Sequence, residues 1–134
     1  MRIVGGRLRG LKLAEVGDGD PAAHLRPTTD RVREAMFNLI ENSAGIPLDG
    51  ARVLDLFAGT GALGLEALSR GAESVTFVEA DAKAAKIIEA NVRASGLSGG
   101  RVIRRRAAEH VAAAPVRLHP PPGGGAGRRP VHPR

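Results

Sequence analysis

No cysteine occurs among the 134 residues, which excludes a disulfide framework and any thiolate metal site. No apolar run approaches the ~20 residues of a membrane span, and the N-terminus lacks the apolar core of a signal peptide. A soluble, cytoplasmic protein with no membrane partner is therefore expected. Acidic residues are scarce at one end. Residues 101–134 hold eight arginines against the single Glu109, whereas residues 1–100 hold 12 Lys and Arg against 13 Asp and Glu. The net charge of +6 is thus an asymmetry of the last quarter and not a basic surface spread along the chain. The length permits one domain with a real core but is short for a complete α/β enzyme.

The opening MRIVGGRLRGLKL mixes short apolar stretches with Gly5-Gly6 and Gly10 and predicts a small hairpin. It carries Arg2, Arg7, Arg9 and Lys12 before any acid. Composition alone favours an ordinary solvated ribbon; a ribbon contacting phosphates is the competing reading. A Gly-, Asp- and Pro-rich loop follows, with His24 as a plain loop residue. A helix then starts at Thr29 or Asp30, either of which can cap it. Its apolar stripe is Val32, Met36, Leu39 and Ile40, with Arg31, Arg33 and Glu34 off the stripe.

ARVLDLFA predicts a strand buried on both faces of a parallel sheet. A short helix over 62–70, the strand SVTFVE, a helix from Ala82 to Ser95 stopped by Gly96, the strand RVIRRR and a helix over Ala107–Ala113 follow. The order β-α-β-α-β predicts an α/β fold with a doubly wound parallel sheet and right-handed crossovers.

Between the first strand and its helix lies Gly59-Thr60-Gly61-Ala62-Leu63-Gly64, a literal G-x-G-x-x-G. Glycines there permit positive φ and let the backbone approach a nucleotide-like ligand. Glu79 comes 20 residues after Gly59, at the end of the second strand, where an acid can close on ribose hydroxyls. A dinucleotide loop must receive an anionic pyrophosphate, and Asp55, four residues before Gly59, would repel it. The ammonium and sulfonium of S-adenosylmethionine suit that carboxylate better. The bland alternatives are a buried Asp55 satisfied by backbone N–H groups and a Glu79 that caps the following loop. An NAD(P)-binding module is the more distant functional alternative.

MRIVGGRLRGLKL, LRPTTDRVREAMFNLI, VLDLFAGTGALGLEALSRGAESVTFVEAD and ANV stand in the order and spacing of the RsmD family, which the chain resembles from residue 1 to about 110. That family methylates a guanine N2 of 16S rRNA in the small ribosomal subunit. The resemblance implies a Rossmann-like class I methyltransferase sheet with an N-terminal β-hairpin extension, S-adenosylmethionine as cofactor, and 16S rRNA or an assembling small subunit as partner of a monomer. It implies cofactor contacts at Asp55, Phe57, Gly59, Thr60, Gly61 and Glu79. Arg26, Thr28 and Arg31 match the block that folds over the methionine end. At the adenine end Ala107 and Ala108 stand where relatives often carry an acid, leaving backbone groups near Ala108. Arg2, Arg7, Arg9 and Lys12 would then face RNA. Glu109 and His110 are adjacent on a helix and read as surface residues.

The family's catalytic motif is Asp or Asn, two prolines and an aromatic that stacks on the flipped base. The nearest text here is His119-Pro120-Pro121-Pro122, with His at the acceptor position and proline at the ring. No catalytic residue is therefore assigned, and no metal site. Pro, Gly, Arg and Ala make up 14 of residues 116–134, residues whose codons can begin with two G/C bases. The tail reads foremost as a truncated or frameshifted end, with a basic arm or a diverged catalytic loop as alternatives. The expected organisation is a basic hairpin and loop over 1–25, a partial cofactor domain over 26–114 and a disordered Pro/Gly/Arg tail over 115–134. In the family's sheet a fourth strand pairs with the first. Its loss would leave VLDLF as an open apolar edge, with weak or no methyl transfer. A non-catalytic RNA- or cofactor-binding fragment is the alternative function.

Overall fold

The computed structural model describes residues 1–15, 28–56 and 58–113. Arg26, Phe57, His24, His119, Pro120 and Pro121, the expected loop and the expected tail lie outside the described residues.

Thr29 opens the first helix, α1 (Asp30–Asn38), its Oγ1 accepting from the Val32 N–H at 3.2 Å. A π-helical turn, Leu39–Ser43, extends it. Then come β1 (Arg52–Asp55), α2 (Ala62–Ser69), β2 (Ser74–Glu79), α3 (Ala82–Ser95), β3 (Gly100–Arg104) and α4 (Ala107–Ala113). Asp81 caps α3 through the Ala84 N–H (2.8 Å), and Gly96, at φ 68°, ends it. The strands form one parallel sheet in the order β1-β2-β3, with Val53 opposite Val75 and Phe77 opposite Val102. Two right-handed crossovers in the same direction put α2 and α3 on one face, where they touch each other.

Two expectations fail here, for related reasons. β1 is not covered on both faces; it is an edge strand alternating exposed and half-buried residues, with Leu54 51% exposed. The doubly covered strand is β2, whose Val75, Phe77 and Val78 are fully buried. The apolar stripe of α1 is likewise not the face it buries. Val32, Met36 and Leu39 are exposed, and Arg33 and Phe37 are buried instead. Met36 and Ile40 line an apolar groove of about 560 Å³ along β1, with Leu48, Val53 and Leu54 on its other walls. The stripe therefore faces an open groove, while charge pairing decides the buried side. β3 also begins one residue earlier than expected and stops before Arg105 and Arg106.

That charge pairing centres on Glu66, in the middle of the otherwise apolar α2. Its carboxylate, fully buried, accepts from Arg33 Nε (3.1 Å), Arg70 Nε (2.9 Å) and the backbone N–H groups of Val4 (3.0 Å) and Gly5 (2.9 Å). Arg33, also fully buried, donates further to the carbonyls of Thr28 (3.2 Å) and Arg2 and to Asp30 Oδ1 (2.8 Å). Arg70 reaches Glu41 at 2.9 Å and lies 5.0 Å over the Phe37 ring. One carboxylate thus joins α1, α2 and the N-terminal segment.

The N-terminal segment does return on itself, closed by one antiparallel bridge, Arg2 with Lys12, and by Ile3 N–H to Leu11 O and Leu13 N–H to Met1 O, both 2.9 Å. Ile3 and Leu13 are buried beneath it. Its tip is held to the end of α2 by Ser69, whose carbonyl accepts from the Arg7 N–H (2.8 Å) and whose hydroxyl donates to Gly5 O (2.6 Å).

Removing one member of a buried ion pair leaves an uncompensated charge, so Glu66→Ala is expected to cost about 3–5 kcal/mol, read as a shift of the urea midpoint. Partial burial pushes the Asp30 carboxyl up, but the Arg33 guanidinium and the Arg2 N–H more than offset it, leaving its pKa below the usual value. A lowered carboxylate pKa stabilises above the unfolded value of about 3.9 and loses that contribution as pH falls through the folded value. The parent should therefore lose stability more steeply than Asp30→Asn below about pH 4. Because Asp30 is 43% exposed, the difference should stay under about 1 kcal/mol.

Candidate functional site

β1 ends at Asp55 and β2 at Glu79, so both acids stand at the carboxyl edge of the parallel sheet, where open α/β sheets take ligands. Between β1 and α2 the chain closes a tight turn. The Ala58 N–H donates to Val78 O (3.2 Å) and the Gly61 N–H to Ala58 O (2.7 Å). Gly59 and Gly61 carry φ of 56° and 86°, a region that costs a residue with a Cβ about 1–2 kcal/mol. An ideal Cβ on Gly59 would meet nothing within 4 Å, whereas one on Gly61 would approach Ile88 Cγ2 at 3.2 Å. The loop is thus supported by α3 below Gly61 and open above Gly59. The third glycine has a different task. A Cβ on Gly64 would lie 2.3 Å from the Phe77 ring and 2.7 Å from Val75 Cγ1, so this glycine lets α2 lie directly on β2.

The structure brings Glu79 to the loop. Its Oε1 accepts from the Gly59 N–H at 2.8 Å and its Oε2 from the Asp81 N–H at 3.0 Å. Glu79 therefore caps the following turn, as the bland reading held, and also holds the first glycine. Asp55 and Glu79 are both half-buried. Both carboxylates are negatively charged acceptors, chemistry that suits a cationic group or ribose hydroxyls. Thr60 is buried, and its carbonyl accepts from Asn91 Nδ2 at 3.0 Å.

The remaining predicted residues are more scattered. Thr28 is half-buried and gives its carbonyl to Arg33; Arg31 is exposed on α1; Ala108 is exposed in the first turn of α4. Glu109 pairs with Arg106 at 2.9 Å, which holds its carboxyl below the usual range, and His110 Nδ1 lies 3.4 Å from Arg105 Nη1. Glu109 and His110 form no acid–base couple with each other. Arg2, Arg7, Arg9 and Lys12 are exposed. The hairpin tip sits by Ser69, and the eight residues from Ala62 to Ser69 span about 12 Å of helix. Arg7 and Arg9 accordingly stand away from the loop. Sequence reasoning passed over Glu66, Arg33 and Asn91. The available signal was a lone Glu and a lone Asn at apolar-face positions of short helices, where burial demands partners.

A Rossmann-like parallel sheet with a glycine turn after its first strand and an acid ending its second is common to dinucleotide-binding and methyltransferase folds, and the solved structures that superpose on this one include methyltransferases. Residues 1–119 match the family described as Conserved hypothetical protein 95. The chain belongs to that family, which is the RsmD family. It is 44% identical over 112 residues to the Escherichia coli K12 protein named Ribosomal RNA small subunit methyltransferase D, covering 84% of this chain and 52% of that protein. The structure of a hypothetical protein from Thermus thermophilus superposes with a TM-score of 0.68 at 33% identity, over 84% of this chain and 59% of that one. The C-terminal domain of precorrin-6Y C5,15-methyltransferase from Rhodobacter capsulatus, at 24% identity and TM-score 0.56 over 68% of this chain and 47% of that one, shares the fold. The chain spans about half the length of the curated relatives it matches.

The two kinds of glycine separate in a test. Gly59→Ala should fold with a loss of about 1–2 kcal/mol, but its methyl group occupies the open space above the loop and should abolish ligand binding. Gly64→Ala should destabilise more, by driving α2 off Phe77. Denaturation midpoints of the two variants check the order.

Proposed function

We propose that the chain binds S-adenosylmethionine and is the methyl-donor part of an enzyme modifying a guanine N2 of 16S rRNA. The observation that carries this reading is the Glu79 carboxylate hydrogen-bonded to Gly59, with Asp55 at the end of the neighbouring strand. Glu79 would meet the ribose hydroxyls, Asp55 the cationic methionine end, and Gly59, Thr60 and Gly61 the body of the cofactor. On the family resemblance Arg26 and Thr28 would meet the methionine end of the cofactor, Phe57 its body and Ala108 its adenine. Bound there, the cofactor supplies an electrophilic methyl group. The similarity to small-subunit rRNA methyltransferases supports an RNA partner; on this reading a monomer meets 16S rRNA or the assembling subunit in the cytoplasm. Arg2, Arg7, Arg9 and Lys12 are the exposed cations of the hairpin that would take phosphates.

A second reading rests on His119-Pro120-Pro121-Pro122. A histidine there does not reproduce the two acceptors that would hold an exocyclic amine, and proline has no π-face for the base. On that reading the chain binds cofactor and RNA without turning over, with residues 26–114 as the cofactor unit.

Calorimetry with S-adenosylhomocysteine, S-adenosylmethionine and NAD tests the assignment. The first two should bind and NAD should not; preference for NAD would sink it. Glu79→Ala should weaken S-adenosylhomocysteine by about tenfold or more, the worth of a hydrogen bond to a charged group. Methylation of an undermodified small subunit by the purified chain would exclude the second reading.

A further inference from the structure

Asn91, on α3, is 2% exposed, and its side chain makes three hydrogen bonds, none of them to its own helix. Its Oδ1 accepts from the Ala14 N–H at 2.8 Å, and Nδ2 donates to Ala14 O at 3.1 Å and to Thr60 O at 3.0 Å. Both amide protons are thus used, one on each of two segments 46 residues apart in sequence. One segment is the chain leaving the N-terminal hairpin; the other is the loop between Gly59 and Gly61. Ile88, three residues earlier and on the same helix face, supports Gly61. Asn91 and Ile88 are consequently the floor on which the loop rests.

We propose that Asn91 is a positioning residue, fixing the cofactor loop and the chain leaving the hairpin in one register. This rests on the assignment of the loop to S-adenosylmethionine. A carboxamide suits the task because it offers one acceptor and two donors in a plane. Aspartate has the same shape but, when ionised, turns a carboxylate towards two carbonyl oxygens. Loss of the Thr60 contact frees the loop carbonyl and lets the Gly59–Gly61 backbone, whose positive φ values are costly for other residues, sample other turns.

The test uses the 134-residue chain, Asn91→Ala, Asn91→Asp and, as a control, Ser95→Ala. Ser95 is buried on the same helix, but its hydroxyl bonds only Val92 O and the Leu97 N–H, so its loss affects stability without touching the loop. Without ligand, amide exchange at Gly59 and Gly61 is measured relative to that at Phe77 on the central strand. This ratio should rise by about tenfold in Asn91→Ala, the effect of one net hydrogen bond, and stay unchanged in Ser95→Ala. With ligand, the S-adenosylhomocysteine dissociation constant should rise by about tenfold in Asn91→Ala and further in Asn91→Asp. The Asn91→Asp loss should be partly relieved on going from about pH 8 to about pH 5, as the carboxyl gains a proton and one of the two carbonyls regains a donor. An unchanged exchange ratio in Asn91→Ala, or a parent and Asn91→Ala that bind equally well, overturns the proposal. A parent that binds no S-adenosylhomocysteine while the ratio still rises sinks the cofactor assignment and leaves the positioning role standing.

Discussion

The buried Glu66 carboxylate is the constraint on which the arrangement depends. A charge in the interior is tolerable only with close counter-charges and filled hydrogen-bond positions, and Glu66 obtains them from three separate segments: Arg33 on α1, Arg70 at the end of α2, and the N–H groups of Val4 and Gly5. Its needs therefore dictate which face of α1 turns inward and where the hairpin docks. Arg33 in turn satisfies the carbonyls of Arg2 and Thr28, so the start of the chain and the start of α1 are fixed by one guanidinium. The fork geometry of arginine makes this possible; a lysine would supply a point charge but not the directions.

The same logic, at smaller scale, builds the loop. Glu79 ties Gly59 to the end of β2, and Asn91 ties Thr60 to α3. Backbone groups that a glycine-rich turn would leave to water are thereby given fixed partners. Glycine makes the turn accessible and these side chains make it a single conformation. Asp55 and Glu79 therefore put two acidic side chains at the strand ends beside the glycine turn.

Much of this was legible in the sequence, and the exceptions have a common cause. The strand–helix alternation, the ends of β2 and α3, and the positive φ at Gly59 and Gly61 follow from local patterning and are found where expected, while α2 ends one residue early, at Ser69. The meeting of Glu79 with Gly59 was foreseeable because strand ends in a parallel sheet converge. The burial of Arg33 was not, since periodicity ranks residues by apolarity and Val32, Met36 and Leu39 outrank an arginine. Only the long-range partner, Glu66, 33 residues away, reverses that order. Asn91 was missed for the same reason: its partners lie on other segments, and among the other polar residues of α3 only its position on the apolar face sets it apart.

The exposed stripe of α1 and the exposed Leu54 of β1 are then two sides of one feature. Both border the apolar groove along the outer side of β1, where no strand pairs with it among the described residues. An uncovered strand edge beside apolar side chains favours association with other chains. The opposite side of the strand meets β2 and supports the loop through satisfied polar contacts. The groove bears on how well the chain stays folded and dispersed, and it reaches Asp55 and the first turn of α2, whereas the contacts of Gly59, Glu79 and Asn91 are made with β2 and α3, which do not line it.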